Sequence, residues 1–417
     1  MTRILVVQNL YPPHHYGGYE QSCRDVMVRM RDNGHQVTVL TTTMRLPGVS
    51  DHADDGIDVR RELEFYWDDH ELVTPPPSGR LRIERHNQRV LRRTLRDVRP
   101  DVVSVWNMGA MSMGLVTSIA ASGLPSIYAV CDDWLLYGPK VDPWTRAWSR
   151  RPRLAPVAGR VAGVPTALPR DLGERGAFCF VSEWTRGRAV AESPWTFPLS
   201  TVVYTGIDPA DFATAERDVR REWHWRLLYV GRVEGRKGVE TAIRSLAHLP
   251  VGATLRVVGR AEPEHRRELD RVVHELGLDD RVSFEVARRD ELAPTYASAD
   301  VLLFPPVWDE PFGLVPVEAM ACDTPVVASA TGGSREFLVD GVNCLYADRG
   351  DPASFAAGVQ RLAGDEQLRR RLVEGGRRTA ADLTIDRLAV VLEEWHVAAA
   401  GGFRGGVPVD RPLPGTR

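Results

Sequence analysis

Four short clusters hold the residues whose types and spacing could do chemistry. The first is Gly231-Arg232-Val233-Glu234-Gly235-Arg236-Lys237-Gly238, directly after the apolar run Leu227–Val230. Gly231 and Gly235 permit a tight turn with exposed N–H groups. Arg232 and Lys237 add two cations where the start of a following helix already favours anions. A diphosphate needs such a place. An ordinary basic turn would read alike, and the spacing is neither a Walker loop nor a dinucleotide G-x-G-x-x-G. Cation usage weighs for the diphosphate: the chain has 51 Arg and only 2 Lys, at 140 and 237. A compact ammonium on a flexible stem at 237 stands out against that background.

The second cluster is Trp308-Asp309-Glu310-Pro311-Phe312-Gly313-Leu314-Val315-Pro316-Val317-Glu318. Glu310 sits in a loop and Glu318 on a helix expected from Val315 to Ala321. The N–H groups of Phe312, Gly313 and Leu314 open that helix and form a second anion cradle. At ~1.5 Å per helical residue the two carboxylates lie on the order of 10 Å apart. That is too far to activate one water, but suits hydroxyls at the two ends of a sugar–diphosphate–ribose. The alternative is a capping Glu310 and a solvated Glu318. The third cluster is Thr331-Gly332-Gly333-Ser334-Arg335-Glu336, and the fourth is Tyr16-Gly17-Gly18-Tyr19-Glu20. Gly17 and Gly18 would let backbone approach a phosphate or an acceptor. Either cluster could equally be a plain glycine turn.

The elements that must position these clusters follow a repeating pattern. Strands are expected at Ile4–Val7, Gln36–Leu40, Val59–Phe65, Asp101–Trp106, Ser126–Val130, Ala177–Val181 and Ser200–Tyr204. A second series runs Leu227–Val230, Thr254–Val258, Val282–Phe284, Val301–Phe304 and Pro325–Ala328. Helical spacing lies between them, for example at 20–33, 81–98, 239–249 and 263–276, and Ser182 is a plausible cap. Residues 134–175 read as loops and short helices, and the tail after Gly401 as irregular. Alternating strands and helices build parallel sheets. The fold expected is two doubly wound, Rossmann-like α/β domains facing across a cleft, of residues 1–207 and 208–392, with a polar seam near 207–222. Ligands of such sheets bind at the carboxyl ends of strands, which is where all four clusters fall.

Composition sets the outer limits. The 417 residues suit two domains at ~100–200 residues each. Net charge is −3, which excludes a generally basic nucleic-acid binder. Five cysteines without C-x-x-C argue against a disulfide framework or a zinc site of the usual spacing and for a reduced, cytoplasmic protein. No secretory signal is read at the start. The charge-free span Val102–Cys131 is diluted by Gly, Ser, Asn and Pro, and reads as strand, helix, strand. The Arg-dense helix near 81–98 could meet an acceptor or an anionic membrane, but Glu84 and Asp97 interrupt it and it reads rather as a solvated face. The segment Trp134–Arg153, with Trp134, Trp144 and Trp148 among arginines, could stack on an acceptor or rest on an anionic membrane.

Taken together, Gly231-Arg232 with Lys237-Gly238, the E-x7-E of Glu310 and Glu318 inside EPFGLVPVEAMACDTPVVAS, and Gly332-Gly333 with Glu336 resemble the retaining glycosyltransferases of family four, which have the GT-B fold. The resemblance is close over 225–346 and looser in the first half. It implies that Arg232 and Lys237 hold a donor diphosphate beside Gly231 and that Glu318 bonds the ribose. It implies that Glu310 and the 312–314 backbone hold the transferred sugar. Gly17 and Gly18 would line the cleft with Cys131, Asp132 and Trp134, and a last segment from about 393 to 417 would return to the first domain. Transfer in the family usually needs no metal and no cofactor beyond the nucleotide sugar. The partners implied are that donor and an acceptor: a natural product (a secondary-metabolite role), another small molecule, or a cell-envelope glycan. The chain departs from the family at four positions. Cys131 replaces a histidine, Thr205 an asparagine, and Val286, beside the base pocket, and Asp323 each replace a glycine. His14 and His15 are the histidines that could substitute. An epimerase of the same fold, or a non-catalytic nucleotide-sugar sensor, are the competing readings.

Overall fold

Ile4, Leu5, Val6 and Val7 are fully buried along β1 (Arg3–Val7), as a strand central in a parallel sheet requires. The computed structural model describes residues 1–51, 55–68, 71–151, 153–174, 176–212, 222–404 and 406–408. Much of the expected seam, and most of the tail after Gly401, lie outside these. Two compact units result: Met1–Tyr204 with the segment returning from Asp386, and Thr205–Ile385. The expected divisions were 207/208 and about 392/393.

The first unit is built on β1, β2 (Gln36–Thr42), β3 (Asp58–Leu63), β6 (Val102–Val105), β7 (Ser126–Val130), β8 (Gly176–Phe180) and β9 (Ser200–Val202), with a small hairpin of β4 (Trp67–Asp68) and β5 (Glu71–Leu72). The sheet order is β3-β2-β1-β6-β7-β8-β9, parallel throughout. The chain winds outward from β1 and then crosses to β6, so the switch point lies between β1 and β6. Its helices are α1 (Gly18–Asp32), α2 (Pro77–Val98), α3 (Met113–Ala121), α4 (Trp134–Val141), α5 (Pro143–Ser149), α6 (Ala155–Ala162) and α7 (Glu183–Glu192). Ser182 caps α7 by accepting from the Thr185 N–H. The charge-free span is β6, α3 and β7, and among the described residues no helix is long and apolar enough to cross a membrane.

The second unit comprises β10 (Arg226–Val230), β11 (Thr254–Val258), β12 (Val282–Glu285), β13 (Val301–Phe304), β14 (Val326–Ala328) and β15 (Leu345–Tyr346), in the order β12-β11-β10-β13-β14-β15. Its switch point lies between β10 and β13. The helices are α8 (Val239–Ser245), α9 (Pro263–Glu275), α10 (Arg289–Ser298), α11 (Val315–Ala321), α12 (Pro352–Gly364) and α13 (Glu366–Asp382). A last helix, α14 (Ile385–Ala400), enters the first unit, where the His396 ring bonds the Ser104 hydroxyl of β6 at 2.8 Å and His35 meets Glu393 at 2.9 Å. Both units are thus doubly wound and Rossmann-like, as expected.

One polar residue is misplaced by the sequence reading. Glu84 does not interrupt the exposed face of α2. It is fully buried and accepts from the Tyr66 and Ser112 hydroxyls, each at 2.7 Å. Burial, and then the nearby Asp142 charge, push its carboxyl up to about 8.

Candidate functional site

Glycines bring the first two clusters together. Gly238 has φ +72°, and a Cβ there would lie 1.8 Å from the Pro305 carbonyl oxygen. The basic turn after β10 therefore lies directly on the loop after β13, and the Val307 N–H donates to the Arg236 carbonyl at 3.0 Å. This close approach lets the Lys237 ammonium donate to Glu310 Oε1 at 2.6 Å. The Trp308 indole N–H donates to the same oxygen at 2.8 Å. The face of Trp308 lies 4.2 Å from the Arg236 guanidinium and 5.2 Å from the Lys237 ammonium. Arg232, largely exposed, pairs with Glu234 at 2.7 Å. Burial depresses the Lys237 pKa, the Glu310 charge opposes that, and Arg232 and Arg236 depress it further. The result is a lysine–carboxylate–indole cluster at the switch point of the sheet.

The third cluster is a buttress for the second. The Thr331 hydroxyl donates to the Trp308 carbonyl and the Gly333 N–H to the Glu310 carbonyl, both at 2.7 Å. Gly332 has φ +56°, and a Cβ there would come within 2.4 Å of the Glu310 oxygen. Glu318 is not a solvated face residue. It is half-buried on α11 and accepts from the Tyr296 hydroxyl of α10 at 2.5 Å, while burial raises its carboxyl pKa. Phe312 is buried against Phe337, with ring centroids 4.7 Å apart. Gly313 has φ +96°, tight against Phe304, and Leu314 caps α11. Val286 follows β12 and is 64% exposed, two strands from β10. Asp323 holds φ +57°, a conformation that favours glycine, and both its carboxylate oxygens are gripped by Arg377 at 2.6 and 2.8 Å.

In the first unit, Gly17 and Gly18 open α1 after β1, at that sheet's own switch point. The Glu20 carboxylate folds back to accept the Gly17 N–H at 3.1 Å. The Tyr19 hydroxyl donates to the Ala129 carbonyl of β7 and accepts from the Cys131 N–H, which ties the fourth cluster to Cys131. The Cys131 thiol is half-buried, and burial and then Asp132 push its pKa well up. Asp132 accepts from the Trp134 N–H at 3.1 Å and the Tyr137 hydroxyl at 3.0 Å.

Two expectations fail here. Trp134 is fully buried against Tyr128 in the core, and Trp144 is 5% exposed, so neither is displayed to an acceptor. Short helices α4 and α5 turn these indoles inward. His14 cannot replace the missing histidine. It is fully buried, held by Asp51 at 2.6 Å and by the Leu46 N–H at 3.1 Å. Sequence reasoning also missed Tyr296, which lies 22 residues from its partner Glu318 with no periodicity to link them. Trp308 was in the right cluster, but no role was read for it. Its place two residues before Glu310 was the available signal.

Two family models match the chain: glycosyl transferases group 1 over residues 215–379, and a glycosyl transferase 4-like domain over 17–178. The chain belongs to glycosyltransferase family four. Among curated relatives, the D-inositol 3-phosphate glycosyltransferase of Xylanimonas cellulosilytica is 38% identical over 176 residues, 42% of each chain. The chain thus spans less than half the length of that relative. Sucrose-phosphate synthase from Thermosynechococcus elongatus shares the fold with a TM-score of 0.74 at 20% identity, over 96% of this chain and all of that one. Anabaena HepE, solved with UDP-glucose, does so with a TM-score of 0.68 at 20% identity, over 97% of this chain and all of that one. The fold of these neighbours is GT-B.

Proposed function

We propose that this protein is a retaining glycosyltransferase that moves a sugar from a nucleoside diphosphate to an acceptor hydroxyl without a metal. The observation that carries the reading is the Lys237–Glu310–Trp308 cluster at the β10/β13 switch point. Lys237 and Arg232 are cations suited to a diphosphate, and the relative solved with UDP-glucose binds a donor of this class. Glu318, oriented by Tyr296, takes the ribose. Glu310 and the 312–314 backbone take the sugar, and Gly17, Gly18, Cys131 and Asp132 are the first unit's candidates for sugar or acceptor. Trp134 supports that wall from the core.

The step proposed is front-face substitution. The bond from the anomeric carbon to the diphosphate oxygen breaks with its electron pair on oxygen. The acceptor oxygen bonds the same face of that carbon, and its proton passes to the departing diphosphate. No carboxylate nucleophile is needed. The protein's part is electrostatic: fixed cations stabilise charge as it develops on the leaving group. Cys131, a weak hydrogen-bonding group, stands where the family's histidine would seat the sugar, which favours a donor altered at C6.

The experiment is transfer with a panel of UDP-sugars, 6-hydroxy against 6-deoxy or C6-modified, in wild type, Cys131→His and Lys237→Ala, each with and without EDTA. The reading expects transfer that survives chelation, fails in Lys237→Ala, and shifts toward 6-hydroxy donors in Cys131→His. Nucleotide binding with neither hydrolysis nor transfer across the panel would indicate a sensor instead.

A further inference from the structure

The helix α6 is turned inside out for a surface helix. Its alanines at 155, 158 and 162 are buried or half-buried, while Leu154, Val157 and Val161 are 60%, 63% and 80% exposed. The spacing 154, 157, 161 places the three on one face. Next to it, α2 shows Arg85, Arg89, Arg92 and Arg96 along one exposed face, spaced four, three and four residues apart. Arg85 bridges the two helices by donating to the Ala162 carbonyl at 2.9 Å. Between them lies a groove of about 750 Å³, lined by those four arginines with Leu95, Leu124 and Ala162 among others. Exposed Arg150, Arg151 and Arg153 lead along the chain into α6, and exposed Arg160 lies on it.

Two features separate this face from a merely solvated one. Glu84, the acid that should have broken the basic row, points into the core. Among the described residues, none of these eight arginines pairs with a carboxylate, whereas their neighbours Arg82 and Arg93 pair with Glu64 and Glu62. The face also lies at the opposite end of its own sheet from Gly17, Gly18 and Cys131. Arg96 precedes β6, and Ser122 and Leu124 precede β7, so the groove sits at the amino ends of the strands, opposite the end where ligands of such sheets bind.

We propose that the α2/α6 face docks this protein on an anionic lipid bilayer. The arginine row meets the headgroup charge, and Leu154, Val157 and Val161 enter the headgroup–acyl boundary. A purely polyanionic partner would have no use for three outward aliphatic side chains.

Flotation with vesicles tests this. Wild type should bind phosphatidylglycerol–phosphatidylcholine vesicles, ignore pure phosphatidylcholine, and be partly released by salt. Arg89→Ser with Arg96→Ser should weaken partitioning on the order of tenfold or more, and Val157→Ser with Val161→Ser several-fold. All four positions are exposed, and thermal melting together with unchanged UDP affinity would confirm intact protein and keep this proposal separate from the glycosyltransferase reading. Absence of binding to anionic vesicles overturns the proposal. So does binding that ignores both double variants. Loss confined to the arginine pair, with duplex DNA held through the same arginines, would assign the face to a soluble polyanion instead.

Discussion

Glu310→Gln separates the two jobs done by one carboxylate oxygen. The Glu310 side chain is 4% exposed and that of Lys237 21%, so the pair is poorly screened. Oε1 receives both the ammonium and the indole N–H. Glutamine keeps the shape and one acceptor but removes the charge. Hydrogen bonds to charged groups contribute ~1.5–3 kcal/mol, so a loss of about that size is expected. In a unit of this size 1 kcal/mol moves the melting temperature by roughly 2–4 °C, which makes the drop on the order of 3–12 °C. The pH dependence follows from Lys237. Its folded pKa is already depressed by burial, and Glu310 is the group that opposes the depression. The unfolded chain therefore binds the proton more tightly, and stability rises with pH between the folded and unfolded values. Without Glu310 the folded value falls further, so the rise should begin at lower pH. The same substitution releases Lys237 for phosphate. Calorimetry should show UDP bound as tightly as in wild type or more so, while transfer collapses. If Glu310→Gln lost UDP affinity as Lys237→Ala does, or melted like wild type, the cluster would not work as described.

Three further perturbations have defined outcomes. Glu318→Ala should weaken UDP itself by about 1.5–3 kcal/mol, and Tyr296→Phe should do so more mildly and chiefly toward acid pH, since the carboxyl already raised by burial loses its donor; equal UDP titrations in all three proteins would remove Glu318 from the ribose. Glu84→Gln should flatten the pH profile of stability. The folded protein keeps a proton up to about 8 that the unfolded chain loses near 4.5, so wild type loses stability as pH rises through that window while the variant does not; identical melting curves at alkaline pH would refute this. Gly238→Ala places a Cβ 1.8 Å from the Pro305 oxygen at φ +72° and should cost at least ~1–3 kcal/mol in strain together with UDP binding, readable in one denaturant series with and without nucleotide.

The strands were legible because parallel sheets buried on both faces show as continuous apolar runs, and Leu227–Val230 or Val301–Phe304 cannot be mistaken. The strand β15 was not, since two residues carry no period. The E-x7-E spacing and the lone lysine marked the second unit's candidates. Nothing local showed that Lys237 would spend its charge on Glu310, because that contact is made by a Gly238–Pro305 approach across 67 residues of chain. Burial was the least legible quantity. Trp134 and His14 are turned inward by a short helix and a loop whose direction no periodicity records. Glu84, though on the buried stripe of the long helix α2 with Ile83, Asn87 and Gln88, reads as solvated because it is charged and flanked by arginines.

The path of the chain has a consequence for synthesis. The strand-like segments at Ile207 and Thr384 run side by side, with the Ile207 N–H on the Leu383 carbonyl and the Ile385 N–H on the Ile207 carbonyl. Gly206 lies so close that a Cβ would come within 2.4 Å of Leu383. The second unit is therefore an insertion whose entry and exit are stitched together. As the ribosome delivers the chain, the first unit waits for α14, which carries Trp395 and His396 into its core, until the whole second unit has emerged. The inserted unit can reach its native state first, and its stitched ends then deliver the last helix to a sheet whose seven strands all preceded it.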